Sequence, residues 1–240
     1  MILYFRHDII RILGAWFGSL FGKEGKDFKS RMGAHNPDTQ MGWFIILGTM
    51  PILIAGLLFK HAIEGSLRNL WITVTVLALF GVLLWVVDAR SKQVKTMKEM
   101  TWKDALIFGI GQMLALIPGV SRSGGTITFG RAMGYTREAA VRVSFLMAIP
   151  AVFGAGIWKP YRPSRTLPRG DAGMFPGWGP TIAAAIVAFV VGYVVIIGFL
   201  KFVSTFSYKA FAIYRIGLAI VVALLLITGV LSPLEAAAAA

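Results

Sequence analysis

The chain has 240 residues, 57% of them hydrophobic and only 15% charged, with 24 Lys and Arg against 11 Asp and Glu and a formal net charge of +13. Soluble domains are nearer a quarter charged, so a mean hydropathy of +0.72 excludes an ordinary water-soluble fold. An all-α integral membrane protein is expected. There is no Cys, which excludes a disulfide scaffold, a thiolate metal site and a cysteine nucleophile. In so apolar a chain the excess positive charge points to anionic lipid head groups rather than to nucleic acid.

A bilayer core needs about 20 apolar residues in one helix. Residues 1–21 are apolar but broken by Arg6, His7, Asp8 and Arg11. They read as the tail of a helix leaving the membrane, followed by an interfacial amphipathic stretch. With charges inside the would-be apolar region, they do not read as a signal peptide. Four uncharged runs are long enough to span: 39–59, 70–87, 172–200 (its spanning part 180–200) and 216–234. A fifth, 143–158, is slightly short and is expected to reach the surfaces through Arg142 and Lys159.

Residues 104–136 behave differently. An apolar stretch from Ala105 ends in Pro118-Gly119, passes through Ser121-Arg122-Ser123-Gly124-Gly125-Thr126 and resumes at Ile127. Pro and Gly break a helix, and broken backbone at membrane depth is tolerated only where protein or a wet cavity satisfies it. We therefore expect a re-entrant helix–loop–helix that enters and leaves on one side. With that topology, one side collects about 16 basic residues and the other about six, so the first is cytoplasmic and the C-terminus lies outside. Residues 1–232 form one membrane domain, and 233–240, ending in five alanines, read as a tag or cloning scar.

An arginine at membrane depth is expensive and marks a functional site. Arg122 has no carboxylate near it in sequence; Asp104 and Glu138 lie at the far ends of the two half-helices. Its surroundings suit an anion instead. The guanidinium is a planar fork matched to phosphate oxygens. Ser121, Ser123 and Thr126 supply hydroxyls, and Gly119, Gly124 and Gly125 allow close backbone approach. The second half-helix also starts here, aiming free amides at the loop. The alternative is a structural arginine that satisfies carbonyls of the broken helix. Gln112 either faces this cavity or bonds a neighbouring helix, and Gly109-x-Gly111 reads as small-residue helix packing. Arg215 is either a snorkelled anchor, the favoured reading, or a second anion contact. His7, His35 and His61 are too scattered for a metal site or a catalytic pair.

The run Pro118-Gly119-Val120-Ser121-Arg122-Ser123-Gly124-Gly125-Thr126 matches the motif PGxSRSGxT of the bacitracin-resistance type of undecaprenyl pyrophosphate phosphatases. Phe145-Leu146-Met147-Ala148-Ile149-Pro150 resembles the same family's FLLAIP, and Phe211-Ala212-Ile213-Tyr214-Arg215 its FxxYR. The resemblance implies the second half of an inverted-repeat, transporter-like helix bundle in a bacterial plasma membrane. It implies hydrolysis of undecaprenyl diphosphate to the monophosphate carrier used in peptidoglycan synthesis, with Mg²⁺ or Ca²⁺ as cofactor and a homodimer as an open possibility. Arg122, Ser121 and Ser123 would be catalytic, while Thr126, Gly119, Gly124, Gly125 and Gln112 would bind substrate. The family's E-x-x-x-E carboxylates and its Ser-Ser-x-Gly-His loop would lie before residue 1, so the chain reads as an N-terminally shortened form with no metal ligands of its own. The competing reading is a transporter that binds the lipid phosphate without cleaving it.

Overall fold

A computed structural model describes residues 2–23, 25, 27–158 and 178–233. Among them the regular structure is helical: α1 (Arg6–Leu20), α2 (Phe28–Arg31), α3 (Pro37–Leu58), α4 (Lys60–Glu64), α5 (Leu70–Arg90), α6 (Trp102–Met113), α7 (Arg122–Ala132), α8 (Arg137–Trp158), α9 (Trp178–Thr205) and α10 (Lys209–Ile227). Residues 234–240 of the expected tag at 233–240, and the stretch 159–177, lie outside the described residues.

Several helices start where the sequence supplies a partner for the orphan amides. Asn36 caps α3 by accepting from the Asp38 amide, with Pro37 in the first turn; Asn69 caps α5 by accepting from the Trp71 amide. Thr101 and Asp104 form a reciprocal capping box on α6.

Four helices are long and apolar enough to cross a membrane: Pro37–Leu58, Leu70–Arg90, Gly179–Phe202 and Lys209–Ile227. Three agree with the sequence reading to within three residues. The last begins seven residues before the expected 216, because Arg215 is buried inside the bundle instead of ending a span at the surface. It stops at Ile227 because the chain turns back at Gly229, whose φ of +73° suits glycine. The fifth expected span forms as α8, but it is not among the four strongly apolar helices. It is a central helix, burying Ala140, Val141, Val143, Met147 and Ala148 against protein, so it needs less apolar surface for lipid.

At the N-terminal end of the described residues, 2–5 form turns and α1 begins at Arg6. Phe5 is fully buried, with its ring 5.8 Å from that of Phe145.

Helices α6 and α7 make the re-entrant hairpin. They have 12 and 11 residues, roughly 17–18 Å each at 1.5 Å per residue, about half of what a bilayer core requires. They pack side by side because neither carries a Cβ at the crossing. Gly111 and Gly125 meet backbone to backbone, and Gly109 lies against the Gly48 carbonyl of α3. The open ends of the hairpin are tied together, since the Tyr135 hydroxyl donates to Asp104 at 3.0 Å and its ring packs edge-on against Phe108. Both ends therefore lie on one side of the bundle, as expected.

A buried ion cluster joins this hairpin to the spanning helices. Asp88, at the end of α5, accepts from Arg131 Nε at 2.8 Å, from Arg137 at 3.0 Å and from the Tyr208 amide at 3.1 Å. Arg131 is wholly buried and also donates to the Asp88 and Tyr135 carbonyls. In the sequence Arg131 and Arg137 stand among the basic residues of one membrane side, and Asp88 is a lone acid at the end of an apolar run. The tertiary fold makes them one knot connecting α5, α7, α8 and the start of α10.

Asp104 forms a second, shallower cluster with Lys95 (2.7 Å), Thr101 and Tyr135. Burial opposes its charge, but the lysine and the two hydroxyls prevail and hold the carboxyl below its usual range. That stabilisation is present above the unfolded carboxyl's pKa of about 4 and is lost as pH falls below it. Asp104→Asn should therefore flatten the acid limb of the protein's pH–stability curve, read as melting temperature in detergent. At neutral pH, Arg131→Ala should leave the Asp88 carboxylate short of its buried partner and cost about 3–5 kcal/mol, measured as a large drop in the same melting temperature.

Candidate functional site

The site is built on the loop between α6 and α7. After α6 a short 3₁₀ turn, Leu114–Leu116, leads into Pro118 and Gly119. Gly119 has φ +100°, and a Cβ there would sit 2.5 Å from the Thr73 carbonyl of α5, so only glycine fits. Ser121 has φ +68°, a left-handed conformation that is strained for a residue with a side chain. The strain turns the chain abruptly into α7. In this position the Ser121 hydroxyl caps α7, accepting from the Gly124 amide at 3.3 Å, while its carbonyl accepts from Gly125 at 2.8 Å.

The loop reaches well across the bundle. From the Asp88 knot to Leu77, whose amide lies beside Gly119, is eleven residues of α5, or roughly 16 Å. Backbone carbonyls at this depth need donors, and Arg215 of α10 supplies them. Its guanidinium donates to the Val120 carbonyl at 3.0 Å and to the Gly119 carbonyl at 2.5 Å, with the side chain only 9% exposed. Arg215 is thus neither the expected surface anchor nor a free anion contact. It takes the carbonyl-satisfying role that the sequence reading had offered as the bland alternative for Arg122. Gly124 leaves it room, since a Cβ there would be 2.9 Å from Arg215 Nη1.

Arg122 is left with a different position. It is half-buried as the first residue of α7, and its side chain makes no hydrogen bond or ion pair with another described residue. The Ser123 side chain beside it is likewise half-buried and unbonded. As at any helix start, the first amides have no intrahelical acceptor, and the positive end of the helix dipole points the same way. Arg122, the start of α7 and the Ser123 hydroxyl therefore share the tip of the hairpin, and among the described residues no carboxylate pairs with Arg122. A free guanidinium at a helix N-terminus is an arrangement suited to an anion.

Other expected site residues fall elsewhere. Thr126 is wholly buried and donates to the Arg122 carbonyl at 2.8 Å, so it braces the first turn of α7 and has no surface open to a ligand. Gly125 is buried against the Gly111 carbonyl and serves packing of the half-helices, not close approach of a ligand. Gln112 is wholly buried one residue beyond Gly111, and neither its Nε2 nor its Oε1 has a protein partner. The bond to a neighbouring helix offered by the sequence reading is not formed. Sequence reasoning under-weighted Arg215; the available signal was its position several residues inside an apolar helix rather than at its end. Among the described residues, no three His, Asp or Glu side chains come together, and the buried carboxylates Asp88 and Asp104 are already engaged by cations. The described residues do not form a cage for a divalent cation.

Fold and site together define a multi-pass membrane protein with a re-entrant, cationic loop inside its helix bundle. Known proteins place it further. The family model for the bacitracin resistance protein BacA matches residues 1–221. The undecaprenyl-diphosphatase of Bifidobacterium adolescentis is 86% identical over 240 residues, covering all of this chain and 82% of the relative. That of Bifidobacterium animalis subsp. lactis is 71% identical over 235 residues, 98% of this chain and 79% of the relative. A more distant one, from Paenarthrobacter aurescens, is 51% identical over 226 residues, 93% and 78%. The chain belongs to the BacA family.

Two substitutions test the loop's construction. Gly119→Ala should force the loop off α5 and lower both the yield of folded protein and its melting temperature. Arg215→Ala should leave two buried carbonyls unpaired, at about 1–3 kcal/mol each, measured as destabilisation in detergent. Arg215→Lys, which offers a point charge in place of the two-pronged fork, should recover only part of the loss.

Proposed function

We infer that this chain is an undecaprenyl-diphosphatase. It hydrolyses undecaprenyl diphosphate to undecaprenyl phosphate and phosphate, recycling the lipid carrier for peptidoglycan synthesis. The observation that carries the reading is the unpaired Arg122 at the head of α7, with Ser123 beside it and Arg215 holding the loop behind it.

The chemistry follows from charge. Hydrolysis adds a water oxygen to the terminal phosphorus and breaks the bridging P–O bond, whose electron pair leaves on the lipid monophosphate. The reaction asks the protein chiefly for positioning and for positive charge where negative charge develops. Arg122 would grip two phosphate oxygens with its fork. Ser123 and the first amides of α7 would orient the terminal phosphate, and the capping Ser121 would fix their geometry. The polyprenyl tail would lie among the apolar helices. A divalent cation, which the family resemblance implies, would lower the charge on the diphosphate. The same reading places the protein in the bacterial plasma membrane, its C-terminus on the outer side and its basic surfaces against anionic lipids.

The test is phosphate release from undecaprenyl diphosphate by the purified protein. Arg122→Ala should lower turnover by about 10²–10³-fold, the usual cost of losing one preorganised donor to developing charge. Arg122→Lys, keeping the charge without the fork, should stay closer to the Ala variant than to the wild type. Equal rates in wild type and Arg122→Ala would overturn the assignment of Arg122. Movement of labelled lipid between leaflets with no free phosphate would replace hydrolysis by transport.

A further inference from the structure

The first helix carries two apolar faces where one would suffice for folding. One face buries Ile12 and Ser19 and sets Trp16 against Gly42 of α3. The opposite face bears Ile10, Leu13, Phe17 and, just past the helix end, Phe21, all 48–84% exposed. Their spacing of three or four residues keeps them in one stripe along the helix. Phe28 and Met32, on and just after α2, extend the exposed apolar surface.

The depth of this stripe is set by its contacts. Arg11 pairs with Asp38 at 3.1 Å, and Asp38 is the second residue of the spanning helix α3. Trp16 meets Gly42 one turn further on. Helix α1 therefore lies beside the first six residues of a spanning helix, within about 9 Å of its start. This is the depth at which an amphipathic helix rests between head groups and acyl chains. The charges agree. Asp8 and Asp38 are paired with arginines, whereas Lys23, Lys29 and Arg31 are exposed, with no side-chain partner among the described residues.

We propose that α1 and α2 form a membrane-surface anchor whose occupant is an anionic phospholipid leaflet, with Ile10, Leu13, Phe17, Phe21 and Phe28 set into the acyl boundary and Lys23, Lys29 and Arg31 on the head groups. The anchor is separate from the Arg122 loop and does not depend on its chemistry. Each of the three cations contributes roughly a fivefold preference for an anionic over a neutral leaflet.

The absence of native cysteine makes the test direct. Full-length single-cysteine variants Leu13→Cys, Phe17→Cys and, as a water-facing control, Lys92→Cys would be spin-labelled and reconstituted into nanodiscs. The discs would be phosphatidylcholine alone or phosphatidylcholine with phosphatidylglycerol. Labels at 13 and 17 should be open to oxygen and shielded from an aqueous nickel chelate, more deeply in the anionic discs, while the label at 92 stays open to nickel in both. The triple change Lys23→Gln, Lys29→Gln and Arg31→Gln should abolish the extra depth in anionic discs and leave phosphate release intact. Nickel access at 13 and 17 equal to that at 92 would overturn the proposal. So would dipolar broadening between labels on two copies, which would make the stripe a protein–protein contact.

Discussion

A helix that stops inside an apolar layer leaves carbonyls and amides with no water to satisfy them, and the rest of this molecule is arranged around that problem. Helix α6 ends and α7 begins deep in the bundle. The cost is met from both directions. Arg215, on a neighbouring spanning helix, donates to the Gly119 and Val120 carbonyls, and Ser121 turns back to cap the new helix. The first residues of α7 are not closed off in the same way, and there the unpaired Arg122 stands. Closure on the carbonyl side thus coexists with an opening on the amide side.

Holding such a hairpin still takes more than its tip. Its open end is fixed by two polar clusters, Asp88 with Arg131 and Arg137, and Asp104 with Lys95, Thr101 and Tyr135. Between tip and base the two half-helices touch through glycines, so their separation is set by backbone rather than by flexible side chains. Buried ion pairs add little net stability over apolar packing, but they are directional. Asp88 specifies how α7 sits against α5 and the start of α10, and so where the positive end of α7 points. Geometry at the head of α7 is inherited from this distant carboxylate through an 11-residue helix.

The division of labour among the loop residues differs from what their types suggest. Serine, threonine and glycine around an arginine are equally consistent with a ligand cradle and with helix capping and packing. In the folded chain both uses occur. Ser123 is unbonded, whereas Ser121 caps α7, Thr126 bonds its own helix and Gly125 makes way for Gly111. Of the two arginines, Arg122 keeps a side chain without a partner among the described residues, and Arg215, expected at a surface, becomes the support of the loop.

Apolar run length and Pro/Gly breaks, which depend on neighbours in sequence, determined three of the spans closely, the re-entrant hairpin and the position of Arg122. The motif about Arg122 also determined the family. These features were legible because transfer from water to lipid is a nearly additive property of consecutive residues, and a proline breaks a helix whatever surrounds it. The pairing of Asp88 with Arg131, the burial of Arg215 and the early start of α10 were decided by the tertiary structure alone. So were the two-sided apolarity of α1 and the loss of Thr126 to packing. Each depends on which groups meet across distances of 43 to 96 residues or on which face of a helix a neighbour covers. A single charged residue at a segment end reads the same whether it meets water or a buried counter-ion, and only the assembled bundle distinguishes the two.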